Sequence, residues 1–144
     1  MTRVSGIAAA AVALLLAACA TGPAPVEAPE PAVAEPSSAV VSLLNEAQQA
    51  RGRGDLGAAS AHIERALRID RRNPALYVEL ALIRFAGGEF GQAEALALKA
   101  ASLAPADAAM QSRAWSVVAR VREASGDSAG AAQAREIADA GGPP

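Results

Sequence analysis

A glycine followed at once by an acidic residue recurs three times, at Gly54-Asp55, Gly88-Glu89 and Gly126-Asp127, in steps of 34 and then 38 residues. The repeat extends beyond that pair. Five residues after each glycine stands an alanine (Ala59, Ala93, Ala131), and seven further on stands another (Ala66, Ala100, Ala138). Eleven residues before the second and third glycines are the aromatics Tyr77 and Trp115, followed by Leu80-Ala81 and Val118-Ala119. A period of this length marks a chain built by stacking one supersecondary unit, in which no unit buries its apolar face alone.

The units are helical. Val40, Val41, Leu43, Leu44 and Ala47 form a stripe at helical spacing, as do Leu76, Leu80, Ile83 and Val78, Leu82, Phe85. Asn73-Pro74 pairs a capping side chain with proline at the first helical position. Pro105 and Asp107 end one helix and cap the next. Gly87-Gly88 and Gly126 permit the turn between paired helices. Of the 144 residues, 40 are alanine, which favours helix and lets helices approach closely. No alternating run reads as a strand.

This pattern resembles the tetratricopeptide repeat, a helix-turn-helix unit of 34 residues with an aromatic, a leucine and small residues at fixed offsets. The resemblance implies an all-α fold of three such units in a short right-handed solenoid, spanning residues 39–142: units 40–73, 74–107 and 112–142. Residues 108–111 are then an insertion, an extra turn on the first helix of unit 3. Unit 2 follows the pattern best. Unit 1 has Leu43 for the aromatic and Glu46 for the leucine, and unit 3 has Arg122 where an aromatic is usual.

The N-terminus reads differently. Arg3 precedes an apolar run from Ile7 to Ala18, which is the layout of a secretory signal and is too short to span a bilayer comfortably. Leu16-Ala17-Ala18-Cys19 resembles the lipobox of bacterial lipoproteins. The resemblance implies a signal peptide over 1–18, cut before Cys19, with lipid on the Cys19 thiol and on the new amine. Two or three acyl chains hold a protein stably where one does not. With Ala20 rather than aspartate after the cysteine, the resemblance to Gram-negative lipoproteins implies the outer membrane, facing the periplasm.

Residues 19–38 are expected to be a disordered tether. Five of the nine prolines fall here, and each removes an amide donor and disfavours helix in the residue before it. At 3.1 Å per residue, such a segment reaches at most roughly 60 Å.

Composition excludes several classes. A net charge of -2 does not suit a nucleic-acid binder. One cysteine and one histidine make neither a disulfide nor a structural zinc site. Without a nucleophile–base pair, a phosphate-cradling loop or a metal cluster, the chain is not expected to be an enzyme, and no cofactor beyond the Cys19 lipid is expected. His62, with no cysteine or second histidine near it in sequence, reads as a surface residue. The run Arg65, Arg68, Arg71 and Arg72 reads as a solvated face, with Arg68 able to pair with Glu64.

In tetratricopeptide repeats the first helix of each unit lines the concave face. The resemblance therefore implies lining positions at Leu44, Asn45, Gln48 and Arg51 in unit 1, at Val78, Glu79, Leu82 and Phe85 in unit 2, and at Arg113, Ser116, Val117 and Arg120 in unit 3. Gln48, Arg51, Leu82, Phe85, Arg113, Val117 and Arg120 are the candidate partner-binding residues: an apolar centre flanked by polar and arginine groups, suited to a peptide. The Lys and Asn set of the carboxylate-clamp subgroup is absent from these positions.

The implied function is that of a lipid-anchored protein-interaction module with a partner protein or peptide in the envelope. The layout of lipobox, proline-rich tether and small repeat domain is similar to short tetratricopeptide lipoproteins that activate a bifunctional penicillin-binding protein, a peptidoglycan synthase. Two alternatives stay open: a pilotin-type escort for a secretion or pilus machine, and a structural lipoprotein that associates weakly with itself through its last helix.

Overall fold

The computed structural model describes residues 37–144. The signal peptide, the lipobox with Cys19 and nearly all of the tether lie outside the described residues. Within them are six helices: α1 (Ser38–Gly52), α2 (Leu56–Ile69), α3 (Pro74–Ala86), α4 (Phe90–Leu103), α5 (Ala108–Ala124) and α6 (Ser128–Asp139). No strand occurs among the described residues. The helices pair as α1/α2, α3/α4 and α5/α6, one pair per repeat unit, so the fold is all-α and tetratricopeptide-like.

Each recurrent glycine–acid pair performs two local tasks. The glycine takes a positive φ (79° at Gly54, 76° at Gly88, 90° at Gly126) and reverses the chain after the first helix. The acid's own amide then bonds back five residues: Asp55 to the Ala50 carbonyl at 3.0 Å, Glu89 to Arg84 at 2.9 Å and Asp127 to Arg122 at 2.9 Å. This is the bond that closes a Schellman motif. Asp55 and Asp127 next cap the second helix, accepting from the amides of Ala58 and Gly130 at 2.9 Å each. Glu89 makes no such cap. Its carboxylate instead accepts from Arg84 and Gln92.

Between units the turns use side-chain caps. The Asn73 Oδ1 accepts from the Ala75 amide at 3.1 Å, and the Asp107 Oδ1 from Met110 at 3.0 Å. Residues 108–111 form the first turn of α5, which is 17 residues long against 13 for α3. That extra turn places Gln111 in the interior. Its Nε2 donates to the carbonyls of Ala101 and Ala104 (2.7 and 2.9 Å), and its Oε1 accepts from Trp115 Nε1 (3.1 Å). Each of these carbonyls at the end of α4 also accepts a backbone amide (Ala104 N to Ala101 O, Asp107 N to Ala104 O), so Gln111 adds a second donor to both.

Fourteen of the 24 buried apolar residues among the described ones are alanine. The packing relies on close helix approach, and a few large side chains supply much of the buried area. One core joins α1 and α2 to Leu76, Leu80 and Ile83 of α3. The other joins Val78 and Ala81 of α3 to α4, α5 and α6. α3 thus presents one stripe to each core.

Helix neighbours define the inner layer. The first helices touch one another (α1 with α3, α3 with α5), whereas the second helices contact only first helices. Elements on the inside of a curved stack lie closer together, so α1, α3 and α5 form the concave side.

Candidate docking groove

On the concave side, α3 and α5 border a shallow, open hollow of about 240 Å³ lined by Val78, Leu82, Ser112, Arg113, Ser116, Val117 and Arg120. Val78 and Val117 are buried and form its floor. Leu82 is half-buried, while Arg113, Ser116 and Arg120 are exposed along the rim. The Ser116 hydroxyl is turned back to the Ser112 carbonyl at 2.7 Å.

Phe85 stands next to the hollow, one turn beyond Leu82 on α3. Its ring packs against Phe90 at 5.7 Å between centroids, tilted by 42°. The Arg120 guanidinium lies over the Phe85 ring, 5.1 Å from its centroid. A cation over an aromatic face is held electrostatically, so Arg120 is oriented before any ligand arrives. Neither Arg113 nor Arg120 has a carboxylate within ion-pair distance among the described residues.

Of the candidate partner-binding residues, the fold gathers Leu82, Phe85, Arg113, Val117 and Arg120 into this one region. Gln48 is exposed on α1 and does not line the hollow. Arg51 is engaged elsewhere: its Nε donates to Glu79 Oε1 at 2.5 Å. Glu79, another lining position implied by the repeat, is buried, with 3% of its side chain exposed. A buried carboxylate requires a partner, and Arg51 supplies it across the α1–α3 interface.

This pair is testable. Replacing Arg51 with alanine strands the Glu79 carboxylate and is expected to destabilise the domain by about 1–3 kcal/mol. The loss stays below that of a fully enclosed pair because about a third of the Arg51 side chain remains open to water. The urea midpoint measures it, with Arg113→Ala as the exposed, unpaired control. Equal midpoints for the two variants would show that the pair contributes nothing.

Other contacts lay beyond sequence reasoning because the partners are far apart in the chain. Arg122, in the place of an aromatic, reaches Glu94 on α4 with Nε at 2.8 Å and Nη2 at 2.7 Å. His62 on α2 lies 2.9 Å from Glu46 on α1, misaligned for a hydrogen bond. Arg68 forms no ion pair with Glu64 among the described residues. It borders, with Arg65 and Ile69, a shallow depression at the outer edge of unit 1. Val41 and Ile69 are exposed at that edge (42% and 55%), whereas α6 carries no large exposed apolar side chain.

No family model and no curated protein sequence matches the chain. Several solved structures are similar, two of them as follows. The globular C-terminal domain of P. aeruginosa LpoP is 43% identical, with a TM-score of 0.70, and the match covers 73% of this chain and 99% of that domain. The N-terminal domain of stress-induced protein-1 from C. elegans is 20% identical, with a TM-score of 0.63, covering 72% of this chain and 84% of that domain. The second likeness concerns the fold alone.

Proposed function

We propose that this chain, which belongs to the LpoP family, is an outer-membrane lipoprotein of the periplasm that docks and activates a bifunctional penicillin-binding protein through the groove between α3 and α5. The observation that carries this reading is the identity to the LpoP domain over essentially its whole length. It is joined to the layout of lipobox, proline-rich tether and short tetratricopeptide domain, which is similar to that of short lipoproteins activating such synthases.

The proposed mechanism has two parts. The lipid on Cys19 and the tether hold the domain within reach of the synthase, which raises its effective concentration without any new contact. The groove then supplies the recognition. Apolar floor residues provide an anchor site, while the rim arginines provide orientation.

A bifunctional penicillin-binding protein from the same bacterium, mixed with the full chain in detergent, tests the proposal. The wild-type chain is expected to raise the rate of glycan polymerisation. Ser116→Trp fills the hollow from an exposed position on α5 and is expected to return the rate to the basal value, with an unchanged circular dichroism spectrum. Full stimulation by the Ser116→Trp chain would place the docking surface elsewhere, and no stimulation by the wild type would sink the activator reading.

A further inference from the structure

Four arginines of the domain are committed to carboxylates: Arg51 to Glu79, Arg84 to Glu89, Arg122 to Glu94 and Arg135 to Glu123. Arg113 and Arg120 are not, and both face the hollow, whose lining contains no acidic residue. They stand seven residues apart on α5, two helical turns, or about 10.5 Å along its axis. The apolar floor of Val78, Leu82 and Val117 borders the same hollow. The groove therefore offers two positive points with an apolar site associated with them.

We propose that the groove's ligand is an acidic amphipathic helix, bearing two carboxylates seven residues apart on one face with an apolar side chain midway. The proposal rests on the groove reading above and names the chemistry of the segment the groove takes. Charge complementarity supplies the carboxylates: each rim arginine can fork onto one. The spacing supplies the conformation. In a helix, residues seven apart share a face at the same 10.5 Å rise, and those three and four along lie between them on that face. An extended strand fails this match, because same-face residues are spaced by even numbers, at about 6.8 or 13.6 Å. A polyproline helix brings residues three apart to one face at about 9.3 Å, with nothing between them on that face. A hollow of about 240 Å³ receives a side chain rather than a backbone, so the ligand helix lies on the rim and inserts its midway residue. Arg120 is held against Phe85, so little rotamer freedom is lost when it engages.

The test uses the full chain in detergent and a fluorescein-labelled, alanine-based helical peptide, with one glutamate pair seven residues apart and leucine at the two midway positions. Anisotropy is expected to show saturable binding that weakens with salt. Binding should weaken about tenfold for Arg113→Glu and again for Arg120→Glu. The same loss is expected when the peptide's glutamates become glutamines, or are moved to five apart so that they leave one face. Equal binding of the glutamate and glutamine peptides, equal binding of the two spacings, or no binding of either overturns the proposal. Synthase stimulation separates this failure from failure of the groove reading. If Ser116→Trp abolishes stimulation while the doubly reversed Arg113→Glu/Arg120→Glu chain stimulates fully, the groove stands and the acidic helix falls. If both variants stimulate fully, the groove itself is wrong.

Discussion

A chain carrying Cys19→Ser, and a cleavable secretory signal without a lipobox in place of residues 1–18, is expected to move entirely from the membrane fraction to the soluble periplasm. Membrane affinity from acyl chains grows by about 0.8 kcal/mol per buried methylene, so two or three chains hold and none does not. Among the described residues no helix is long and apolar enough to cross a membrane; the lipid on Cys19 is the proposed anchor. The leader must be exchanged as well, because an uncleaved apolar run from Ile7 to Ala18 would hold the precursor by itself. Fractionation with an antibody against the helical domain gives the result. Retention of the altered chain with the membrane would show that Cys19 is not the anchor. Loss of synthase stimulation in cells, with stimulation by the purified altered chain retained, would assign the tether its proposed role in effective concentration.

The second large effect is on folding. Leu76→Ala is expected to cost about 2–5 kcal/mol, because a fully enclosed leucine leaves a cavity that surrounding helices fill only partly. Leu76 is 0% exposed and belongs to the core joining α3 to unit 1. The helix neighbours predict how the loss spreads. Unit 1 packs on the rest of the domain mainly through α3, with Leu96 of α4 against the same core, and stability in a repeat array depends on such nearest-neighbour interfaces. The α1/α2 pair is therefore expected to unfold at lower urea than the remainder. Circular dichroism reports all helices, whereas fluorescence of Trp115, the one tryptophan, reports α5. In the variant the first signal should fall before the second. Coincident transitions would mean that the three units unfold as one, and an unchanged midpoint would mean that Leu76 is not the joint between them.

The repeat resemblance led to the concave face, but equivalent positions in the repeat turned out to have different surroundings. Arg51 and Phe85 both stand three residues before the turn glycine of their units. Arg51 is drawn inward by the buried Glu79, while Phe85 packs against Phe90 and Arg120. A repeat register specifies where a position lies on its helix and is silent about what the adjacent unit brings against it. For the same reason Glu79 read as a lining residue in sequence and is an enclosed one in the fold.

What the sequence by itself determined is local: six helices in three pairs, their turns and their caps. Gly54-Asp55, Gly88-Glu89 and Gly126-Asp127 set the reversals because a left-handed glycine and the amide after it close a turn within six residues, whatever packs around them. The lipobox and tether readings are equally local, resting on contiguous residues. What only the tertiary structure decided is how charges are shared. Arg51 meets Glu79 across 28 residues, and Arg122 meets Glu94 across the same distance in the opposite direction. Those pairings leave Arg113 and Arg120 over the hollow without carboxylate partners among the described residues. Thirteen basic and 15 acidic side chains allow many pairings, and ion pairing depends on distance in space, which packing of α3 against α1 and of α5 against α4 sets.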